Sequence, residues 1–128
     1  MRLEKKLEAV VDTNFIIAVM FKDHVNHDEA IKEWEKLDKV YLPLISITEI
    51  AYFLIKHNID LNVLNEILSD PKIEIIENSV EDISYALGKK DEIKSYDDFN
   101  DFLILSVAIR QNLPLLTFVK KLKIKMRK

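Results

Sequence analysis

A chain of 128 residues, 48% hydrophobic and 32% charged, suits one globular domain around one core and is too apolar to be disordered throughout. It has no cysteine, which excludes disulfides, thiolate metal sites and a Cys nucleophile, and a single glycine, Gly88, which excludes the glycine-rich phosphate loops of the P-loop and Rossmann type. The net charge of −3 hides an asymmetry: residues 120–128, KKLKIKMRK, hold six basic and no acidic side chains, leaving 13 basic against 22 acidic elsewhere, and a basic tail on an acidic body is one way a chain meets nucleic acid.

In chain order, residues 8–12 read as a strand and 13–21 as a short helix. Residues 26–38 form an amphipathic helix with Ala30, Ile31, Trp34 and Leu37 on one side. A strand over 39–43 closes at Pro43. Residues 46–57 are a helix, because Ile47, Ile50, Ala51, Leu54 and Ile55 recur at helical spacing. A further helix over 60–69 stops at Asp70-Pro71. Residues 73–76 are a strand, 79–93 a helix, 97–112 a long apolar helix and 114–118 a strand. Strands alternating with helices predict an α/β fold with a parallel sheet covered on both faces. In such sheets the functional sites lie at the carboxyl ends of the strands. Asp12 and Thr117 fall at two such ends. No apolar run approaches the ~20 residues of a membrane span, and MRLEKKLEAVVD lacks the apolar core of a signal peptide. No membrane is expected, and a cytoplasmic setting fits.

Three acidic places disobey the pattern. Asp12 interrupts two apolar segments, Val10-Val11 and Phe15–Met20; it either caps the following helix or holds something positive. Glu49 sits among large side chains, and a capping box Ser46-x-x-Glu49 is the plain structural explanation. Asp98 and Asp101 share a face at the start of the long helix, where acids complement the helix dipole and Ser95-x-x-Asp98 forms a cap. Each explanation serves singly, but Asp97, Asp98 and Asp101 are more acid than one helix end needs, and like charges so close repel unless a cation joins them. Carboxylates gathered at one edge of a parallel sheet suit hard cations such as Mg²⁺ or Mn²⁺.

Other residues point less far. His24 and His27 cannot make a structural zinc site alone. Trp34, Tyr41, Tyr52 and Phe53 are able to stack on bases, but their spacings belong more often to a core. No Ser-His-Asp arrangement is available.

The sequence VVDTNFI resembles the opening motif of PIN domains, small metal-dependent ribonucleases that include many toxins of toxin–antitoxin pairs. ISITEIAY resembles their second motif, with its acid at Glu49. NDFLILSVAIRQNLPLLTF resembles the third motif and the following strand, with Asp101 as the acid. The resemblance implies a PIN-like three-layer fold over residues 1–128, with a central parallel sheet of four or five strands between helices and residues 120–128 as a basic tail. It implies hydrolysis of RNA phosphodiesters on one or two Mg²⁺ or Mn²⁺ ions. Asp12, Glu49 and Asp101 would be catalytic and ligating, Asp98 a further ligand, and Asn14 and Thr117 supporting groups. It also implies a homodimer and a small antitoxin partner; the 26–38 and 46–57 helices are candidate dimer surfaces on their apolar content alone. The family commonly has a fourth acid two residues after the threonine of its last strand. Here that position is Val119, so the site is expected to run on Asp12, Glu49 and Asp101, with Asp98 filling in. The alternative is a PIN-like domain with a lapsed site that binds RNA or a partner protein. An aspartyl-phosphate phosphatase fits less well, because Asn14 stands where a second Asp belongs. A receiver domain lacks its phosphate-accepting Asp after Leu42-Pro43 or Ile75-Ile76.

Overall fold

The computed structural model describes residues 7–118. Four strands, β1 (Glu8–Val11), β2 (Lys39–Pro43), β3 (Ile73–Ile76) and β4 (Leu115–Leu116), form one parallel sheet in the order β3-β2-β1-β4. Six α-helices flank it: α1 (Thr13–Met20), α2 (His27–Lys36), α3 (Leu44–Lys56), α4 (Val63–Ser69), α5 (Val80–Gly88) and α6 (Tyr96–Gln111). The expected α/β architecture is therefore the observed one, and of the four or five parallel strands expected the described residues form four.

The strand order places β1 between β2 and β4, so the chain leaves β1 on one side and returns to it on the other. In open α/β sheets the crevice beyond the carboxyl ends at such a reversal is where ligands bind. Period-two alternation along β1 divides the core. Ala9 and Val11 pack into a cluster with Phe15, Ile16, Val40, Leu42, Ile50 and Leu54. Val10 faces the opposite way, onto Ala86, Phe102, Ile104, Val107 and Leu115. Helix α6 is buried continuously from Phe102 to Ala108, which explains why its sequence reads as apolar on all sides.

Most boundaries shift by a residue or two, and four of the shifts matter to the site or the chain path. Helix α3 begins at Leu44, directly after Pro43, whose backbone (φ −61°, ψ 144°) serves as the N-cap. The Asn78 side chain accepts from the Ile45 amide at 2.8 Å and so holds a helix start that carries no Ser or Thr cap. Helix α4 starts only at Val63, because Asp60 turns the chain by accepting from the Asn62 amide. The expected helix over 79–93 ends at Gly88 and gives way to one 3₁₀ turn, Lys90–Glu92. Strand β4 is two residues long, and Thr117 lies just beyond it. Val119 and the 120–128 tail fall outside the described residues.

A second buried acid fixes the far side of α6. Asp82 has no exposed surface. Its carboxylate accepts from Ser106 Oγ (2.8 Å), from Arg110 Nε and Nη2 (3.0 and 3.1 Å) and from the Ser79 amide (2.9 Å). Burial pushes this carboxyl up, but those bonds and the Arg110 charge outweigh it and hold the group below its ordinary range. The network ties the start of α5 to the end of α6.

Candidate active site

At the carboxyl end of β1 the chain turns into α1 through Asp12. Its backbone is extended (φ −92°, ψ 176°), and its Oδ1 accepts from the Phe15 amide at 2.9 Å, so the capping role expected of it is real. Its other oxygen accepts from the Thr117 hydroxyl, which arrives from beyond β4, 105 residues away in sequence. Asp12 is only 3% exposed. Burial, the largest influence, raises its pKa from 3.8 to about 6; the bonds from Thr117 and Phe15 pull it down, and the charge of Glu49 pushes it up. Its partners are thus two neutral donors and a second carboxylate.

Glu49 does not form the expected capping box. Because α3 starts at Leu44, Ser46 lies within the first turn, and its Oγ is buried without a hydrogen-bond partner. Glu49 turns instead toward the other elements. Its Oε1 accepts from Thr13 Oγ1 of α1 at 2.6 Å and its Oε2 from Asn100 Nδ2 of α6 at 3.3 Å. Both carboxylate oxygens are therefore held by neutral donors from separate helices. Asn100 itself is 1% exposed. Neither Thr13 nor Asn100 stood out in the sequence. The one available signal was Asn100 as an amide just ahead of the buried run of α6.

At the N-terminus of α6 the Ser95 hydroxyl accepts from the Asp98 amide (3.1 Å), and Asp98 Oδ2 accepts from the Lys94 amide (2.8 Å). The cap expected from Ser95-x-x-Asp98 is thus present. Asp98 is buried, and Asp101, one turn on, is partly exposed.

These elements enclose a cleft of about 890 Å³, and its walls include Asp12, Asn14, Glu49, Asp98 and Asp101. Five of the six singled-out residues thus share one cleft, and the sixth, Thr117, reaches it through its bond to Asp12. His24 and His27 are not on its walls; their Nδ1 atoms bond the backbone, to the Asn26 amide and the Ala18 carbonyl. Tyr52 corrects the expectation of a core residue: it is 68% exposed on the cleft wall, whereas Trp34, Tyr41 and Phe53 are partly buried.

The donor set is oxygen only, as Mg²⁺ or Mn²⁺ requires, and among the described residues no cationic side chain bonds the buried Asp12 to offset its charge. Among the described residues no three acidic or histidine side chains stand as a ready-made cation cluster. Glu49 is drawn toward Thr13 and Asn100 in this arrangement. The chemistry of the cleft fits a hard cation; its fully converged geometry is not formed.

A buried aspartate at the strand reversal, facing acids from two further helices, defines a carboxylate-lined α/β cleft. The PIN domain family matches residues 9–124, and the chain belongs to that family. Comparison with curated proteins finds no match. Among solved structures, VapC20 of Mycobacterium tuberculosis, a sarcin–ricin loop cleaving toxin, superposes with a TM-score of 0.76 at 17% identity, covering 91% of this chain and 94% of that one. A toxin–antitoxin complex from Klebsiella pneumoniae gives a TM-score of 0.66 at 24% identity, with 88% of each chain covered. VapBC2 of Rickettsia felis, bound to a DNA fragment from its promoter, gives 0.63 at 24% identity, covering 91% and 92%. At these identities the likeness is one of fold. No helix among the described residues is long and apolar enough to cross a membrane.

Proposed function

We propose that this chain is a divalent-cation-dependent endoribonuclease, the toxin of a toxin–antitoxin pair. The observation that carries the reading is Asp12: a carboxyl raised to about 6 by burial at the sheet's reversal point, sharing one cleft with Glu49 and Asp101 in a chain of the PIN family. Mg²⁺ or Mn²⁺ would be held by Asp12, Glu49 and Asp101, with Asp98 flanking them. When bound, it supplies Lewis acidity for the attacking water and for the leaving oxygen of a phosphodiester.

The protein's own contribution is placement. Thr117 and the Phe15 amide hold the Asp12 carboxylate in one orientation. Thr13 and Asn100 hold Glu49. Both are neutral donors, so they fix the acids without neutralising them, and the negative charge stays available to a cation. Asn14, exposed on the cleft wall, is placed to orient substrate or water. The structural relatives that are toxin–antitoxin complexes support a small antitoxin protein as the natural partner, and a homodimer in the cytoplasm belongs to the same reading.

The test is Mn²⁺-dependent cleavage of mixed-sequence single-stranded RNA by the wild type, Asp12→Asn and Val119→Asp. Cleavage by the wild type that disappears in Asp12→Asn is the expected result. Silence in the wild type with activity gained in Val119→Asp would favour the alternative of a lapsed site, whose main support is the valine at the fourth acidic position. Silence in all three would remove the nuclease reading.

A further inference from the structure

All eleven aromatic side chains of the protein lie within the described residues. Nine are buried or partly buried. The two that are exposed, Tyr52 at 68% and Tyr96 at 72%, both line the acidic cleft. They come from different elements, Tyr52 from the middle of α3 and Tyr96 from the first position of α6. An exposed aromatic ring leaves apolar surface in water, and two confined to one cleft mark a place where flat apolar surface is offered to a ligand.

Among the described residues the same cleft has one cationic side chain on its walls, Lys56. Glu49, Tyr52 and Lys56 follow at spacings of three and four, so they share a face of α3. Over the seven residues from Glu49 to Lys56 that face rises about 10 Å. Lys56 forms no ion pair with the described acids. The face therefore presents an acid at the floor, a ring above it and a positive charge at the rim.

We propose that Tyr52 and Tyr96 form a stacking seat for an unpaired nucleobase beside the scissile phosphate, with Lys56 taking a neighbouring backbone phosphate. This rests on the nuclease reading for its scissile bond, but the binding it describes does not need cleavage. Aromatic rings receive bases only when these are splayed out of a helix, so the seat selects single strands and loops over duplex RNA. Lys56 supplies the local attraction for phosphate that the acids around it withhold.

The test is direct binding, by fluorescence anisotropy, of labelled 12-nucleotide RNA, with Ca²⁺ present and strand integrity checked on a gel. Four ligands are compared: single-stranded RNA, the same sequence as a duplex, the same strand with abasic positions at its centre, and the DNA strand. Tyr52→Ala and Tyr96→Ala are each expected to weaken single-strand binding about tenfold, with Tyr52→Phe and Tyr96→Phe close to wild type because the ring remains. On the abasic strand the alanine variants are expected to match wild type, since there is no base to lose. Lys56→Ala is expected to weaken intact and abasic strands alike. The DNA strand reports whether the 2′-hydroxyl matters as well; loss on Tyr→Ala for both strands supports the seat, and loss for RNA alone assigns it to RNA. Equal binding of duplex and single strand, or alanine variants that bind intact RNA as wild type does, would overturn the proposal. So would a wild type that binds none of the four ligands, which would leave the exposed rings to a protein partner. Base-dependent binding with no Mn²⁺ cleavage would keep the seat and remove the nuclease reading. Cleavage with no effect of the tyrosines would do the reverse.

Discussion

Asp12 keeps a charge where only 3% of the residue is exposed, with two neutral donors and a second carboxylate around it. Its folded pKa of about 6 lies above the 3.8 of a free aspartate, so its contribution to stability is complete below pH 3.8 and is lost as the pH rises through 6. A gap of about two pKa units corresponds to roughly 3 kcal/mol, an order-of-magnitude figure. In the metal-free protein at pH 7.5, Asp12→Asn is therefore expected to raise the urea stability by about 1–3 kcal/mol, because the amide oxygen still accepts from Phe15 and the charge is gone. At pH 4 that advantage should vanish. The depressed carboxyl of Asp82 works the opposite way, losing stability as the pH falls, but it does so in both proteins and drops out of the difference. An asparagine variant less stable than wild type at both pH values would show that Asp12 is not strained by its burial. A cation at this position competes with the same proton. Mn²⁺ at a hundred times its Kd is expected to stabilise the wild type by about 2.7 kcal/mol at pH 7.5. That effect should fade as the pH drops through 6, and a thermal shift unchanged between pH 7.5 and pH 5 would place the cation elsewhere.

At the scale of elements, two serines make opposite forecasts. Ser46 is fully buried in α3 with an unpartnered hydroxyl, whereas Ser106 of α6 donates to Asp82. Ser46→Ala should leave stability unchanged or raise it by up to about 1 kcal/mol, since it removes a buried polar group that has no bond to lose. Breaking the α5–α6 tie should be costly: Arg110→Met leaves Asp82 buried without its cation, an expected loss of about 3 kcal/mol in urea unfolding. Adding Asp82→Asn to that variant should recover part of the loss, and a cost under about 1 kcal/mol for Arg110→Met alone would mean the pair does not hold these helices together. The succession of strands and helices was readable because it rests on apolar spacing, which survives into the fold almost residue for residue. The ends of elements were not. Pro43 starts α3 two residues earlier than the serine suggested, and that shift frees Glu49 from a cap and turns it toward Thr13 and Asn100. Asp12 was legible because a charge between two apolar runs needs a reason. Thr13, Asn100, Tyr52 and Tyr96 were not, since which side of a helix faces a cleft is decided by packing among elements that no single segment records.

The whole molecule sets a charge problem for any polyanionic substrate. Asp12, Glu49, Asp97, Asp98 and Asp101 line a cleft whose walls, among the described residues, include one lysine, and residues 1–119 together carry 13 basic against 22 acidic side chains. Attraction for RNA over distances beyond a Debye length, about 8 Å at physiological salt, must then come from a cation bound among these acids or from charge outside the cleft. The six basic side chains of residues 120–128 are the densest positive charge in the sequence. If they meet phosphates, log K for single-stranded RNA falls with log salt by about 0.7 for each contact. A chain ending at Val119 is then expected to bind RNA more weakly at about 50 mM salt, with a shallower slope by about 0.7 per contact removed, and to approach the chain of residues 1–128 at high salt, where screening hides the tail. The stacking contribution of Tyr52 and Tyr96 should persist across the same titration, because it does not depend on counterion release. Parallel salt lines for the two proteins would show that the tail touches no phosphate, and the attraction would then have to reside in a cation-loaded cleft, with a slope that disappears when the cation is chelated.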